Sequence, residues 1–277
     1  MTPRGLAGIA AAALLAGLPS AADASHRAYR CTAPAGMTQF KVELPITARA
    51  IRRGKALVIV AIGSSSTQGV GASDPAHAYP SLLAGELRRR WPHLTITVHN
   101  KGVGGEVAGQ MLARFERDVM PHKPHLVIWQ TGSNHALRRD DVKDYAETVR
   151  EGVKKLKAAR VDVILMDPQY APRVLDRPAH KRVVAAVGQA ANDLKVAVFQ
   201  RFEIMRHWVS SGQHKVEDLV SRDRLHMNDV SYSCIARLLA ESLDAAARAA
   251  PAAGAGMPPP AGGPPPGPPA QAGNRAP

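Results

Sequence analysis

Leu57-Val58-Ile59-Val60-Ala61-Ile62, running into Gly63-Ser64-Ser65-Ser66-Thr67-Gln68-Gly69, is the stretch on which the reading of this chain turns. Six apolar residues with several β-branched side chains predict a buried strand. The strand stops at a glycine and opens into small hydroxyl residues, which places a serine at the carboxyl edge of a sheet. In open α/β sheets that edge is where ligands bind. A serine there also suits a helix N-cap, but it becomes a nucleophile if a base can reach it. Far downstream, Asp223-Arg224-Leu225-His226 offers an acid and an imidazole three residues apart. Serine first and Asp/His last is a chain order compatible with a hydrolase triad, which is recognised by roles and geometry rather than by position.

Working outward, strand and helix alternate. Further apolar strands are expected at Thr95–His99, Leu126–Thr131, Val161–Met166 and Lys195–Gln200. Helical stretches are expected at Tyr79–Arg90, Glu106–Val119, Asp141–Ala159 and Pro178–Leu194, with a last helix over Asp229–Ala247. Continuous apolar strands separated by helices indicate a parallel sheet covered on both faces. Five strands in this rhythm predict an α/β fold, a flavodoxin-like three-layer αβα sandwich with a five-stranded parallel sheet. Right-handed crossovers then collect Ser65, the loop after His99 and the loop after Thr131 on one edge.

Outside this block the composition changes. Residues 1–24 combine Arg4, an apolar run from Gly5 to Leu18 and the small residues Ala22-Asp23-Ala24. This is the pattern of a signal peptide, too short to span a bilayer, with cleavage expected before Ser25. Residues 25–54 read as an extended lead-in packed on the domain, and 55–250 as the domain itself. The last 27 residues, 251–277, hold 10 prolines and 6 glycines. They cannot bury enough surface to offset their ordering entropy, so a disordered tail is expected.

The two cysteines, Cys31 and Cys234, fit an exported protein, where a pair can form one disulfide. Two distant cysteines and scattered histidines show no zinc-ligand spacing, and no metal is expected. Formal net charge is +13. The basic residues sit on helices such as Leu87-Arg88-Arg89-Arg90 and Val153-Lys154-Lys155-Leu156-Lys157, without interleaved aromatics. That distribution reads as solvated helix faces, or as attraction to an anionic envelope polymer, rather than as a nucleic-acid surface. Gly102-Val103-Gly104-Gly105-Glu106-Val107 lacks the third glycine of a dinucleotide fingerprint and the Lys-Ser/Thr of a P-loop, so no nucleotide cofactor is expected.

Four blocks now stand in order: Gly63-Ser64-Ser65-Ser66-Thr67-Gln68-Gly69, Asn100-Lys101-Gly102-Val103-Gly104-Gly105-Glu106, Gly132-Ser133-Asn134-His135 and Asp223-Arg224-Leu225-His226. This arrangement resembles the SGNH (GDSL-type) hydrolase superfamily of esterases and lipases, over roughly Leu57 to Leu239. The resemblance implies Ser65 as nucleophile, His226 as base and Asp223 as its orienting acid. It implies an oxyanion hole made of the Ser65 and Gly105 N–H groups and the Asn134 amide, with no cofactor. The superfamily has Asp before the nucleophile, where this chain has Ser64, and Asp after the block-three Asn, where it has His135. Neither missing Asp is the triad acid, so the five main roles survive.

His135 is a candidate substrate contact, and Gln169 and Tyr170, after the fourth strand, are candidate contacts for the alcohol portion. Export, few aromatics and a basic surface favour short acyl esters, such as acetyl groups on a saccharide, as substrate. The location expected is the periplasm or the medium, with no transmembrane segment after signal cleavage. An O-acyltransferase using the same triad is the chemical neighbour. A catalytically silent envelope- or polysaccharide-binding module is the alternative of a different class.

Overall fold

The computed structural model describes residues 31–138 and 142–249. The expected signal segment, the first residues of the lead-in and the Pro/Gly-rich tail lie outside the described residues.

Strands β1 (Ala56–Gly63), β2 (Thr95–Gly102), β3 (Leu126–Gln130), β4 (Asp162–Met166) and β5 (Ala197–Phe199) form one parallel sheet in the order β2-β1-β3-β4-β5. This is the five-stranded doubly wound sheet read from the sequence. Alternate side chains of each strand enter opposite faces. Leu57, Ile59 and Ala61 pack with Leu126, Ile128, Ile164 and Phe199 in one core layer. Val60 and Ile62 pack with Val127, Trp129, Val163 and Leu165 in the other.

Helices α1 (Ala35–Thr38) and α2 (Pro45–Arg53) precede the sheet. Short α3 (Ser65–Gln68) leaves β1, and α4 (Tyr79–Arg90) leads to β2. α5 (Ala108–Ala113) and α6 (Phe115–Asp118) lead to β3, α7 (Ser133–Arg138) and α8 (Val142–Ala158) to β4, and α9 (Pro172–Leu175) and α10 (Ala179–Leu194) to β5. α11 (Arg201–Ser210) and α12 (Asp229–Ala249) complete the chain as described. The first core layer is closed by Leu83 and Leu87 of α4, Ile204 and Trp208 of α11, and Ile235 and Leu239 of α12. The second is closed by Met111 of α5, Val149 and Val153 of α8, and Val183 and Val187 of α10.

Three departures from the sequence reading have physical causes. The lead-in is partly helical rather than extended. Pro45 opens α2 at its first turn, where its missing N–H costs nothing. Thr47, Ala48 and Ala50 form its buried side, and left-handed Gly54 ends it. The Thr47 N–H donates to Asp162 Oδ2 at 2.7 Å, so the first residue of β4 receives the helix start. The stretch 106–119 is not one helix. It breaks at Arg114, whose side chain turns inward between β1 and β2. Finally, the residues after β5 form α11, because Phe202, Ile204, Met205 and Trp208 give it a buried stripe.

Cys31 and Cys234 are joined by a disulfide across 203 residues of sequence. The strap is reinforced by Arg237 donating to the Cys31 carbonyl at 2.7 Å and Trp208 Nε1 donating to the Thr32 carbonyl at 3.1 Å.

Candidate active site

Ser65 begins α3 immediately after β1, with Ser64 as the extended N-cap residue. The position is built from close backbone approach. A Cβ on Gly102, at the end of β2, would lie 2.0 Å from the Gln68 nitrogen, so only glycine lets β2 run past α3. From beneath, Gln130 Oε1 accepts from the Ser64 N–H at 3.0 Å, the Ser64 hydroxyl at 3.1 Å and the Thr67 hydroxyl at 3.2 Å. The buried guanidinium of Arg114 donates to the carbonyls of Gly63 (3.2 Å) and Lys101 (2.9 Å), pinning the ends of β1 and β2 together. Its charge is matched by Glu106 at 2.7 Å and Asp118 at 2.9 Å.

The imidazole arrives from the turn before α12. His226 Nε2 lies 2.8 Å from Ser65 Oγ, and its Nδ1 is hydrogen-bonded to Asp223 Oδ2. The other carboxylate oxygen of Asp223 accepts from the Leu225 N–H (2.9 Å), the His226 N–H (3.0 Å) and the Ser221 hydroxyl (2.7 Å). Partial burial by itself raises the Asp223 carboxyl. The His226 backbone N–H and ring, the Leu225 N–H and the Ser221 hydroxyl outweigh it and hold the group well below the usual carboxylate range. Through these bonds Asp223 fixes both the turn and the ring.

Two further loops of the same edge converge. Gly105 has φ +80°, a left-handed conformation that favours glycine. The Asn134 amide, in the first turn of α7, donates to the Glu106 carbonyl at 2.9 Å, and Arg138 donates to the Gly105 carbonyl at 3.2 Å. The loops after β2 and β3 are thus tied to one another beside Ser65. Val70 and Val103 are exposed large hydrophobics at this edge. Their N–H groups bond the Ser65 and Gly63 carbonyls, each at 3.0 Å.

The remaining sequence candidates sit deeper. His135 is buried in α7 with its ring 4.6 Å from that of Tyr145. Gln169, expected at the pocket wall, is buried beneath the site and its amide is bonded within the protein. Tyr170 is half-buried and packs edge-on against Phe202. Sequence reasoning did not anticipate Gln130, Ser133, Arg114, Arg201 or Ser221. Gln130 did carry a signal, as a polar side chain closing the apolar run Leu126–Trp129. Arg201 carried none.

Comparison with known proteins supports an SGNH-type esterase. The acetylxylan esterase of Geobacillus stearothermophilus is 27% identical over 178 residues, covering 57% of this chain and 77% of that protein. Thioesterase 1/protease 1/lysophospholipase L1 of Escherichia coli is 30% identical over 115 residues, covering 42% of this chain and 52% of the relative. Among solved structures, a two-domain esterase active on acetylated mannans superposes with TM-score 0.66 at 22% identity, covering 80% of this chain and 58% of that one. The two share the α/β fold. The family model described as "Non-GDSL lipase-like family" matches residues 30–249, which takes in every described residue, and the chain belongs to that family.

Proposed function

We propose that the protein is an exported serine esterase that removes short acyl groups, acetyl above all, from a saccharide. The observation that carries this reading is the line of hydrogen bonds from Ser65 through His226 to Asp223. A serine hydroxyl is a poor nucleophile until a base takes its proton. Neutral His226, oriented by ionised Asp223, takes it as Ser65 Oγ attacks the ester carbonyl. The oxyanion is received by the N–H groups of Ser65 and Gly105 and by the second amide hydrogen of Asn134. His226 then passes the proton to the departing alcohol oxygen. In the second half, His226 deprotonates water as it attacks the acyl-serine, then returns the proton to Ser65 Oγ as the acid leaves.

The acyl preference rests on the low aromatic content and basic balance of the chain. The relatives active on acetylated xylan and mannan support the same substrate class. The solved catalytic variants of the xylan enzyme replace a serine, an aspartate and a histidine, which supports the Ser-His-Asp mechanism proposed here. Export is supported by the disulfide.

The test is hydrolysis of p-nitrophenyl esters from acetate to palmitate, and release of acetate from acetylated xylan and mannan, by the protein and its Ser65→Ala variant. Activity highest on acetate and abolished by the substitution is expected. Equal activity in Ser65→Ala would overturn the assignment.

A further inference from the structure

Gln169 touches the neighbours of three proposed catalytic groups at once. Its Oε1 accepts from the Ser133 hydroxyl at 2.7 Å, and Ser133 precedes Asn134. The same oxygen is 3.4 Å, a long contact, from the hydroxyl of Ser66, which follows Ser65. Its Nε2 donates to the carbonyl of Leu225 at 2.9 Å, and Leu225 precedes His226. The amide can face only one way, since the oxygen meets donors and the nitrogen meets a carbonyl. Gln169 is 1% exposed, so water cannot substitute for it.

The amide is itself held. Arg201, at the start of α11 and fully buried, donates from Nη2 to Gln169 Oε1 at 3.1 Å and from Nε to the Asp167 carbonyl at 2.9 Å. The Asp167 carboxylate accepts from the Phe202 N–H at 2.9 Å. The segment 167–169 is therefore clamped to α11 on one side and reaches the three site loops on the other.

On the esterase reading above, we infer that Gln169 is the positioning residue of the site: one buried amide sets the spacing between nucleophile, oxyanion-hole asparagine and base. Ser65, Asn134 and His226 stand on three separate elements, α3, α7 and the turn before α12. Direct bonds between them give the Ser65–His226 contact, while Gln169 gives the frame in which it is held. A displacement of one ångström in such a frame costs about 10²-fold in rate.

The test uses Gln169→Glu, which keeps an acceptor for Ser133 and Arg201 but loses the donor to Leu225. Two readouts are taken: steady-state kinetics on p-nitrophenyl acetate, and the rate at which a fluorophosphonate labels Ser65. The expected result is a fall of about 10²-fold in both kcat and labelling rate, with KM within about threefold of wild type. Thermal unfolding of the variant should stay cooperative. If Gln169→Glu does not fold, Ser133→Ala decides: it removes the shortest bond to the amide, and a fall of about tenfold in labelling rate at unchanged KM is expected. Labelling within twofold of wild type, or a loss confined to KM, overturns the inference. A wild-type protein that takes the phosphonate but cleaves no ester counts against the esterase reading alone, because labelling still measures the role of Gln169. A wild-type protein that takes no phosphonate overturns both.

Discussion

Gln130 binds Ser64 twice, through the backbone N–H and the side-chain hydroxyl, and both bonds end on one amide oxygen. The Ser64 hydroxyl, a neutral group, donates to the strand below. Gln130→Leu leaves the Ser64 N–H and hydroxyl buried without this acceptor and the Thr67 hydroxyl with only the long contact to the Tyr79 hydroxyl at 3.4 Å. A loss of about 2–3 kcal/mol is expected, read as a lower urea midpoint at unchanged slope.

Asn134→Ala removes one donor from the proposed oxyanion hole and also the tie to Glu106. The kcat on p-nitrophenyl acetate should fall by about 10²–10³-fold. An equal fall in affinity, with kcat intact, would place Asn134 in substrate binding instead.

Asp223→Asn keeps the side chain's size but removes the charge that orients His226. Loss of up to about 10⁴-fold in kcat is expected. The variant should fold, because Asn can still accept from the Leu225 and His226 N–H groups. Circular dichroism beside the kinetics checks both halves.

Burial pushes Asp167 up to about 7, against hydrogen bonds from the Phe202 and Arg201 N–H groups and the nearby guanidinium of Arg201. Between roughly pH 4 and pH 7 the unfolded chain gives up this proton while the folded protein keeps it. The folded state then binds more protons, so this group's contribution to stability declines as pH rises through that window and levels above it. Asp167→Asn keeps an oxygen for the Phe202 N–H and does not titrate. Its melting temperature should fall less than wild type between pH 4.5 and pH 7, as scanning calorimetry at matched ionic strength will show.

Replacing both Cys31 and Cys234 by serine should cost about 2–5 kcal/mol in denaturant unfolding. The cross-link joins the lead-in to α12 and contributes no group to the Ser65–His226–Asp223 line, so kcat at 25 °C should stay within about twofold.

What the sequence made legible is what local pattern encodes. The run Leu57–Ile62 announced both its strand and the serine beyond it, and Asp223 and His226 announced themselves by spacing. Gly105 and Asn134 were legible only as members of ordered blocks. The buried polar frame was not legible, because it depends on distant pairs, Gln169 with Ser133 and Leu225, Arg201 with Asp167 and Arg114 with Gly63, which lie 34 to 56 positions apart, and no periodicity records such a meeting. The break at Arg114 was hidden for the same reason: its neighbours read as helix, and only the carbonyls of Gly63 and Lys101 explain the turn inward. β5 is three residues long, too short for composition to mark its ends.

The Cys31–Cys234 bond also sets an order of events. One partner emerges among the first residues of the described chain and the other 203 residues later. Until Cys234 has been added to the chain, Cys31 has no intramolecular mate. A chain stalled before residue 234 carries a lone thiol, open to capture by any other. Closure of the bond therefore requires the chain through residue 234, and no fragment that stops short of it can form this cross-link.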